Sequence, residues 1–155
     1  MKALIQRVSA AKVWIGNSVY NEIGCGVVVF LGVRINDNID GAAALAAKTA
    51  HLRIFPDEQD RMNRSLLDIS GEALVISQFT LYADTRKGNR PSFIYAAPPT
   101  EAELLYQKYV QYLTDLLPSE STKTGQFRAS MQVELINDGP VTITLDTDNQ
   151  LPPCR

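Results

Sequence analysis

The strongest constraint on the fold is the segment VVVFLGV at residues 27–33, which is apolar at consecutive positions. A strand with one face in water alternates apolar and polar residues, so a continuous apolar run predicts a strand buried on both faces. The run is much shorter than the roughly 18 apolar residues that a membrane-spanning helix needs. We therefore expect a central strand that other elements cover on both sides.

Further segments predict the elements around this strand. The stretch EALVISQFTL predicts a second central strand from Glu72 to Leu81. Apolar residues at helical spacing predict one helix over Ile39–Leu52 and a second that begins at a capping box of Thr100 and Glu103. Alternating patterns predict further strands at 2–8, at 13–15 and 18–23 around a Gly16-Asn17 turn, at 130–136 and at 141–145.

The chain of 155 residues is 45% hydrophobic, which fits one globular domain with a core that needs no metal or disulfide to hold it. We predict the α+β class: a curved, barrel-like, mostly antiparallel β-sheet with two main flanking helices. Residues 1–145 are predicted to form this single domain. The polar, proline-bearing segment 146–155 is predicted to be a mobile C-terminal tail.

The formal net charge of −2 excludes a globally basic nucleic-acid binder but not a local basic loop. Residues 84–90 read DTRKGNR, and Arg86, Lys87 and Arg90 are candidate contacts to RNA phosphates, with a merely solvated loop as the alternative. Cys25 and Cys154 are too differently placed to suggest a disulfide, and no signal-peptide pattern opens the chain. These features favour a cytoplasmic protein.

Several catalytic classes lack their sequence patterns here. The sequence has one histidine, His51, near the end of the first predicted helix, and no G-x-S-x-G motif accompanies it. The sequence contains no H-x-E, H-E-x-x-H or C-x-x-C motif for a metal, and no phosphate-binding loop. An enzyme with this sequence is expected to use backbone groups, hydroxyls or its own substrate.

Two motifs carry the remaining chemistry. Polar Ser77, Gln78 and Thr80 close an apolar strand, where they either cap the strand end or help to hold an oxyanion beside backbone N–H groups. The segment NDGPVT at residues 137–142 separates two alternating strands, and its spacing alone favours a hairpin turn. A cis Gly139-Pro140 bond is the alternative, because X-Pro bonds are the usual site of cis peptides.

At these two motifs the sequence resembles the D-aminoacyl-tRNA deacylases, in which SQFTL and N-x-G-P-V-T form the signature pair. Further matches follow in order along the chain, namely ALIQRV, EIG-x-G, RIF, MN, RPSF, T-G-x-F and MQV. The resemblance implies a homodimer that hydrolyses the ester between a D-amino acid and the 3′ end of tRNA, without metal or cofactor. It also implies a role in translation quality control.

The resemblance further implies a role for each motif. Gly139 and Pro140 form a cis dipeptide that enters the partner subunit's pocket and excludes L-aminoacyl esters, whereas glycyl-tRNA mischarged on tRNA(Ala) is admitted. Arg7 braces this dipeptide and Met131 lines the pocket. The candidate oxyanion donors are the backbone N–H groups of Phe79 and Thr80, while Ser77 and Gln78 shape the pocket.

Two questions stay open at this point. Thr80 is one candidate nucleophile, although no general base adjoins it in the sequence. In the alternative, Thr80 takes no part in bond making and the terminal 2′-OH of the tRNA activates water. The protein itself is either this hydrolase, a non-catalytic RNA-binding module that binds without turnover, or a structural dimer whose motifs only cap strands and turns.

Overall fold

The computed structural model describes residues 1–148. It contains two α-helices, a short 3₁₀ helix at Phe79–Tyr82, and eight strands. In chain order the elements are β1 (Lys2–Ile15), β2 (Ser18–Ile23), β3 (Gly26–Gly32), α1 (Ile39–His51), β4 (Phe55–Pro56), β5 (Met62–Arg64), β6 (Glu72–Ser77), α2 (Pro99–Leu116), β7 (Thr122–Thr124) and β8 (Gln132–Asp146).

The main sheet is mostly antiparallel, as predicted, and two parallel pairings make it a mixed sheet. Its strand order is β2-β1-β3-β6-β7, and β8 pairs with the other edge of β1. The three partners of β1 run antiparallel to it, whereas β6 runs parallel to both β3 and β7. The parallel pairs arise because helical crossovers, one containing α1 and one containing α2, separate the paired strands in the chain.

The strand β3 is buried on both faces, as its apolar run predicts. Val27, Val29 and Leu31 belong to the core between the sheet and the two helices. On the opposite face, Val28 packs in a second cluster with residues from β1, β2 and β6. The second half of β1 and the first half of β8 cover this face, so the curved sheet is a nearly closed barrel with two helices outside it.

The two helices pack on the first core. The helix α1 begins after Asn38, whose side chain accepts a hydrogen bond from Gly41 N at 2.8 Å. In α2 the predicted capping box is wrong, because the helix begins at Pro99 and leaves Thr100 inside its first turn. Proline favours the first helical position, since its missing N–H has no partner there in any case.

The strand β8 is the largest departure from the predicted elements. The patterns at 130–136 and 141–145 belong to one strand rather than to a hairpin, and both halves pair with β1. Asn137 pairs with Val8 and Thr142 pairs with Gln6, so residues 138–141 all lie opposite Arg7. These four residues form an outward excursion within a continuous strand, here called the filter loop after the role that the resemblance implies.

The predicted strand over Glu72–Leu81 is also shorter in the structure. It ends at Ser77, and the chain turns into the 3₁₀ helix. The strand β8 ends at Asp146, one residue into the predicted tail, and Thr147 N donates to the Met1 carbonyl at 3.0 Å. The rest of the predicted tail, with Cys154, lies outside the described residues. Within residues 1–148, neither helix has the length and apolar character to cross a membrane.

Candidate active site

The motif SQFTL lies where β6 ends and the 3₁₀ helix begins. Gln78 N still donates to the Leu31 carbonyl at 2.8 Å, which extends the parallel pairing by one residue. The helix then uses the carbonyls of Gln78 and Thr80 as acceptors for Leu81 N and Ala83 N. Phe79 N and Thr80 N have no acceptor among the described residues, as expected for the first amides of a helix. They are free donors.

A cavity of about 520 Å³ lies beside this turn. Ser77, Gln78 and Phe79 form part of its lining, together with apolar residues of β3, of the segment before α2, and of the turn after β7. The rings of Phe79 and Phe93 meet edge to face with centroids 4.9 Å apart. The cavity therefore has an aromatic and apolar wall next to two free backbone donors, a suitable place for a small ester with an apolar body.

The polar side chains near the cavity include no general base. The residues that line it contain no histidine, carboxylate, lysine or cysteine, and Arg128 is their one charged member. Tyr106 also lines the cavity, but its hydroxyl donates to the Val75 carbonyl at 2.9 Å, and burial raises its pKa. His51 lies at the end of α1, where Nδ1 is 2.8 Å from the Ala47 carbonyl, and does not line the cavity.

Thr80 lies beside the cavity rather than in its lining. Its Oγ1 accepts a hydrogen bond from Gln78 Nε2 and has no other side-chain partner among the described residues. An amide that donates to a hydroxyl orients it but does not remove its proton. The structure thus supplies Thr80 with an orienting partner and with no group that would activate it as a nucleophile.

The filter loop is held from within the same chain. Arg7 Nε lies 3.2 Å from the Asp138 carbonyl and 3.1 Å from Asp138 Oδ2, while Nη1 donates to the Ile54 carbonyl at 2.6 Å. Asn137 Oδ1 accepts from Val141 N at 3.1 Å and closes the loop at its base. Arg7 therefore connects the loop to the segment between α1 and β4.

The Gly139-Pro140 bond is cis, and Gly139 has a φ of 122°, a conformation that residues with a Cβ rarely adopt. A Cβ on Gly139 would lie 3.0 Å from Arg7 Nη2 and 2.8 Å from Val141 Cγ2. Both Gly139 and Pro140 are exposed. The loop is thus a braced, outward-facing piece of main chain at which glycine is required.

Within one chain the filter loop and the cavity do not meet. The loop lies opposite Arg7, which pairs with Val27 on β3, whereas Ser77 pairs with Leu31 of that strand. The offset is about 13 Å along β3 and about 14 Å across three strand spacings. No residue of the loop lines the cavity. The two motifs of the sequence are therefore assembled at different places on one subunit.

Met131 is not among the residues that line this cavity within one chain. It packs against the second core cluster, which contains Ile76, the residue before Ser77. The sequence could not show this, because Met131 and Ile76 are adjacent only in the folded sheet. From this position Met131 supports the end of β6.

The basic loop is partly neutralised by its own acidic residue. Arg86 Nε and Nη2 donate to the two carboxylate oxygens of Asp84 at 2.9 and 2.7 Å, and Nη2 also lies 3.0 Å from the Tyr95 hydroxyl. These hydrogen bonds lower the pKa of Asp84 to about 2. Lys87 and Arg90 are exposed and make no salt bridge with any described residue. They are the two free cations of the loop.

Sequence reasoning missed most of the cavity wall, including Phe93, Phe127 and Arg128. Phe93 belongs to the motif RPSF and Phe127 to T-G-x-F, so the sequence showed both motifs but gave no role for either residue. Arg128 has no motif of its own, but its φ of 63° is unusual for a residue with a side chain. Among the described residues, no cluster of three histidines, cysteines or carboxylates has metal-binding geometry.

Comparison with known proteins places the chain among the hydrolases that act on ester bonds. Within that class, the model of the family described as D-Tyr-tRNA(Tyr) deacylase matches residues 4–146, and the chain belongs to this family. A protein named D-aminoacyl-tRNA deacylase from Thermomicrobium roseum is 55% identical over 148 residues, which cover 95% of this chain and 94% of that protein.

Other relatives match over a similar share of the chain. A protein of the same name from Roseiflexus sp. (strain RS-1) is 54% identical over 147 residues, with 95% of this chain and 94% of that protein covered. A solved structure described as c-Myc DNA Unwinding Element Binding Protein has a TM-score of 0.90 and 39% identity, covering 94% of this chain and 98% of its own. A probable eukaryotic D-amino acid tRNA deacylase shares the fold at 15% identity, with a TM-score of 0.78, covering 93% and 97% of the two chains.

Proposed function

We propose that the protein hydrolyses the ester between a D-amino acid and the 3′ end of tRNA and rejects L-aminoacyl-tRNA. The observation that carries this proposal is the pair of unpartnered amides, Phe79 N and Thr80 N, beside the cavity. Two preorganised donors of this kind stabilise the negative charge that develops on an ester carbonyl oxygen during attack. Membership of the D-Tyr-tRNA(Tyr) deacylase family supports the choice of ester.

In this proposal the substrate supplies the base. The cavity lining contains no residue with a side chain suited to deprotonate water, whereas an aminoacyl ester of tRNA carries a 2′-OH on the ribose carbon next to the esterified one. The 2′-OH of the terminal nucleoside accepts a hydrogen bond from the attacking water and relays its proton to the departing 3′ oxygen, while the two amides hold the oxyanion. The hydroxyl of Thr80, hydrogen-bonded by Gln78, takes no covalent part.

Thr80→Ala separates this route from nucleophilic catalysis by Thr80. The proposal predicts that turnover of D-tyrosyl-tRNA stays within about tenfold of wild type, since only an orienting contact is lost. Single-turnover kinetics measure the rate of deacylation, and mass spectrometry of the quenched enzyme detects an acyl group on Thr80. Abolished turnover together with an acyl group trapped on Thr80 of the wild type would exclude the RNA-assisted route.

The proposed chiral filter acts between subunits. Because the filter loop is exposed and remote from the cavity of its own chain, we propose that it enters the cavity of a second copy in a homodimer. Rigid main-chain carbonyls there occupy the place of an L side chain, while a D side chain points away. Glycine has no side chain to reject, so glycyl-tRNA mischarged on tRNA(Ala) is a further proposed substrate.

The proposed RNA contacts are phosphate contacts by Lys87 and Arg90, with Arg86 serving mainly to shape their loop through Asp84. Such contacts give salt-dependent binding and little base recognition. A deacylase of this kind removes wrongly charged tRNA before it reaches the ribosome, so we propose a role in translation quality control in the cytoplasm. Neither metal nor organic cofactor has a part in the proposed reaction.

A second candidate is nucleic-acid binding without turnover. The solved structure at 39% identity is described as a DNA-unwinding-element binding protein, and this description favours such an activity. It predicts that the protein binds nucleic acid but cleaves neither enantiomer. The structural-dimer alternative predicts that Gly139 and Thr80 variants change stability alone.

The deciding experiment is deacylation of matched D-tyrosyl-tRNA and L-tyrosyl-tRNA by the purified protein in the presence of EDTA. The proposal predicts turnover of the D ester alone. Cleavage of both esters would keep the hydrolase and reject the chiral filter. Cleavage of neither, with tRNA still bound, would favour the binding protein.

A further inference from the structure

Arg128 is the one charged residue among those that line the cavity. It is exposed and forms no salt bridge with any described residue. No carboxylate shares the lining with it, so the cation has no counter-charge inside the cavity. An uncompensated guanidinium at the edge of an otherwise neutral cavity attracts an anionic group of whatever ligand enters.

The backbone at Arg128 adds a second observation. Its φ of 63° lies in the left-handed region, which is unfavourable for every residue that has a Cβ. The residue belongs to a tight turn in which Ala129 N donates to the Gln126 carbonyl at 3.2 Å. Glycine fits such a position best, so the long cationic side chain is kept against the preference of the backbone. Strain of this kind gathers at functional sites.

From these features we infer that Arg128 binds the phosphate on the 5′ side of the terminal nucleoside of the substrate. This inference rests on the proposed function, because it assumes that the ester of that nucleoside lies at the amides of Phe79 and Thr80. The 5′ phosphate is a few covalent bonds from the ester, within reach of an arginine on the same cavity wall. Guanidinium suits phosphate because it donates two parallel hydrogen bonds.

This role differs from that of Lys87 and Arg90. Those residues lie on the exposed loop outside the lining of the cavity, and their proposed phosphates belong to more distant nucleotides. Arg128 instead contacts the phosphate of the terminal nucleotide itself and thereby fixes the position of the reacting ester. Its effect should therefore persist in a substrate reduced to one nucleotide, where contacts of the basic loop are lost.

The test compares two small substrates, D-tyrosyl-adenosine with and without a 5′ phosphate. The variants are Arg128→Gly, Arg128→Lys and, as a matched loss of charge outside the cavity, Arg61→Gln.

Wild type and Arg61→Gln should prefer the phosphorylated substrate by roughly tenfold in kcat/KM, mainly through KM. Arg128→Gly should lose this preference, because its kcat/KM falls more on the phosphorylated substrate than on the unphosphorylated one. Arg128→Lys should keep part of it.

Glycine at this position should also raise Tm by about 2 °C, since the left-handed backbone is relieved. Equal losses on both substrates, or an unchanged phosphate preference in Arg128→Gly, would overturn the inference. If the wild type cleaves only D-tyrosyl-tRNA, equal kcat/KM of Arg128→Gly and Arg61→Gln on that substrate would overturn it as well. Wild-type failure on D-tyrosyl-tRNA would instead remove the proposed function, and the inference with it.

Discussion

The two free donors at the start of the 3₁₀ helix belong to the main chain, so exchanging one ordinary side chain for another leaves them in place. A proline removes one of them, because its nitrogen carries no hydrogen. Phe79 is the first residue of this helix, a position that tolerates proline. The variant therefore deletes a single donor with little change in the backbone.

Phe79→Pro should lower kcat on D-tyrosyl-tRNA by roughly 10²- to 10³-fold, the usual loss for one oxyanion donor. Phe79→Ala is the matched control, since it loses the contact with Phe93 but keeps the N–H, and its loss should stay within about tenfold. Steady-state kinetics with circular dichroism as a check on folding measure the difference. Equal losses in the two variants would show that the ring, not the amide, matters.

A second prediction at this scale concerns Asp84. Hydrogen bonds from Arg86 lower the folded-state pKa of Asp84 to about 2, below the roughly 3.9 of an unfolded chain. The stability that this carboxylate contributes is present above the unfolded value and is lost as pH falls toward the folded one. Asp84→Asn should therefore show a smaller fall in Tm than wild type between about pH 4 and about pH 2. Identical falls would contradict the assignment.

At the scale of elements, the parallel pairing of β3 with β6 depends on a close approach at its first residues. A Cβ on Gly26 would lie 1.9 Å from the Glu72 carbonyl oxygen, whereas a Cβ on Gly24 would lie 3.3 Å from the flexible end of the Glu72 side chain. The first clash is with backbone in the middle of the sheet, so it cannot be relieved by a rotamer change.

Gly26→Ala should therefore destabilise the protein by about 3 kcal/mol or more, whereas Gly24→Ala should cost about 1 kcal/mol or less. Urea unfolding followed by circular dichroism gives both values. Similar midpoints for the two variants would mean that β3 and β6 adjust their spacing freely.

The elements show where sequence reasoning succeeds. The central strand β3 was predicted because its signal is local: consecutive apolar residues require cover on both faces, and the structure supplies it. The filter loop was predicted as a hairpin turn because Asn, Asp, Gly and Pro mark turns and excursions alike. A hairpin turn and an excursion differ in their pairing: here both halves of β8 pair with β1 and not with each other. That pairing joins residues far apart in the chain, so no local pattern shows it.

The residues of the candidate site also fall into those that a local sequence pattern shows and those that it does not. SQFTL was recognisable because polar residues interrupt an apolar strand, and the structure ends the strand there. Phe93 and Arg128 come from loops that approach β6 only through the packing of α2 and β7, so no local pattern shows their role.

At the scale of the whole molecule, the proposed homodimer makes selectivity a property of two chains, because the filter loop and the cavity are separate within one chain. A subunit with Gly139→Ala keeps its own cavity but displaces its loop, because the new Cβ meets Arg7 and Val141. A subunit with Phe79→Pro keeps its loop but loses an oxyanion donor. In a mixed dimer, the intact loop of the second subunit faces the intact cavity of the first.

The prediction is that an inactive subunit restores selectivity. Gly139→Ala alone should cleave L-tyrosyl-tRNA, and exchange with excess Phe79→Pro should reduce this cleavage toward zero while D-tyrosyl-tRNA is still cleaved. Subunits are mixed under conditions that allow exchange, and sedimentation verifies the dimer. No change in the ratio of L to D cleavage after verified exchange would show that the loop acts on its own chain.

The excursion in β8 also separates the length of the loop from the register of the strand. Between the pair Ala10–Ile136 and the pair Gln6–Thr142, β8 spans six residue steps while β1 spans four. The residues after the loop are placed by their own pairs with β1, so Thr142 and Thr144 face solvent while Leu145, opposite Ala3, stays buried. An inserted or deleted loop residue would change how far the main chain projects and leave these pairs in place. Loop length at this point can therefore vary without turning the strand over.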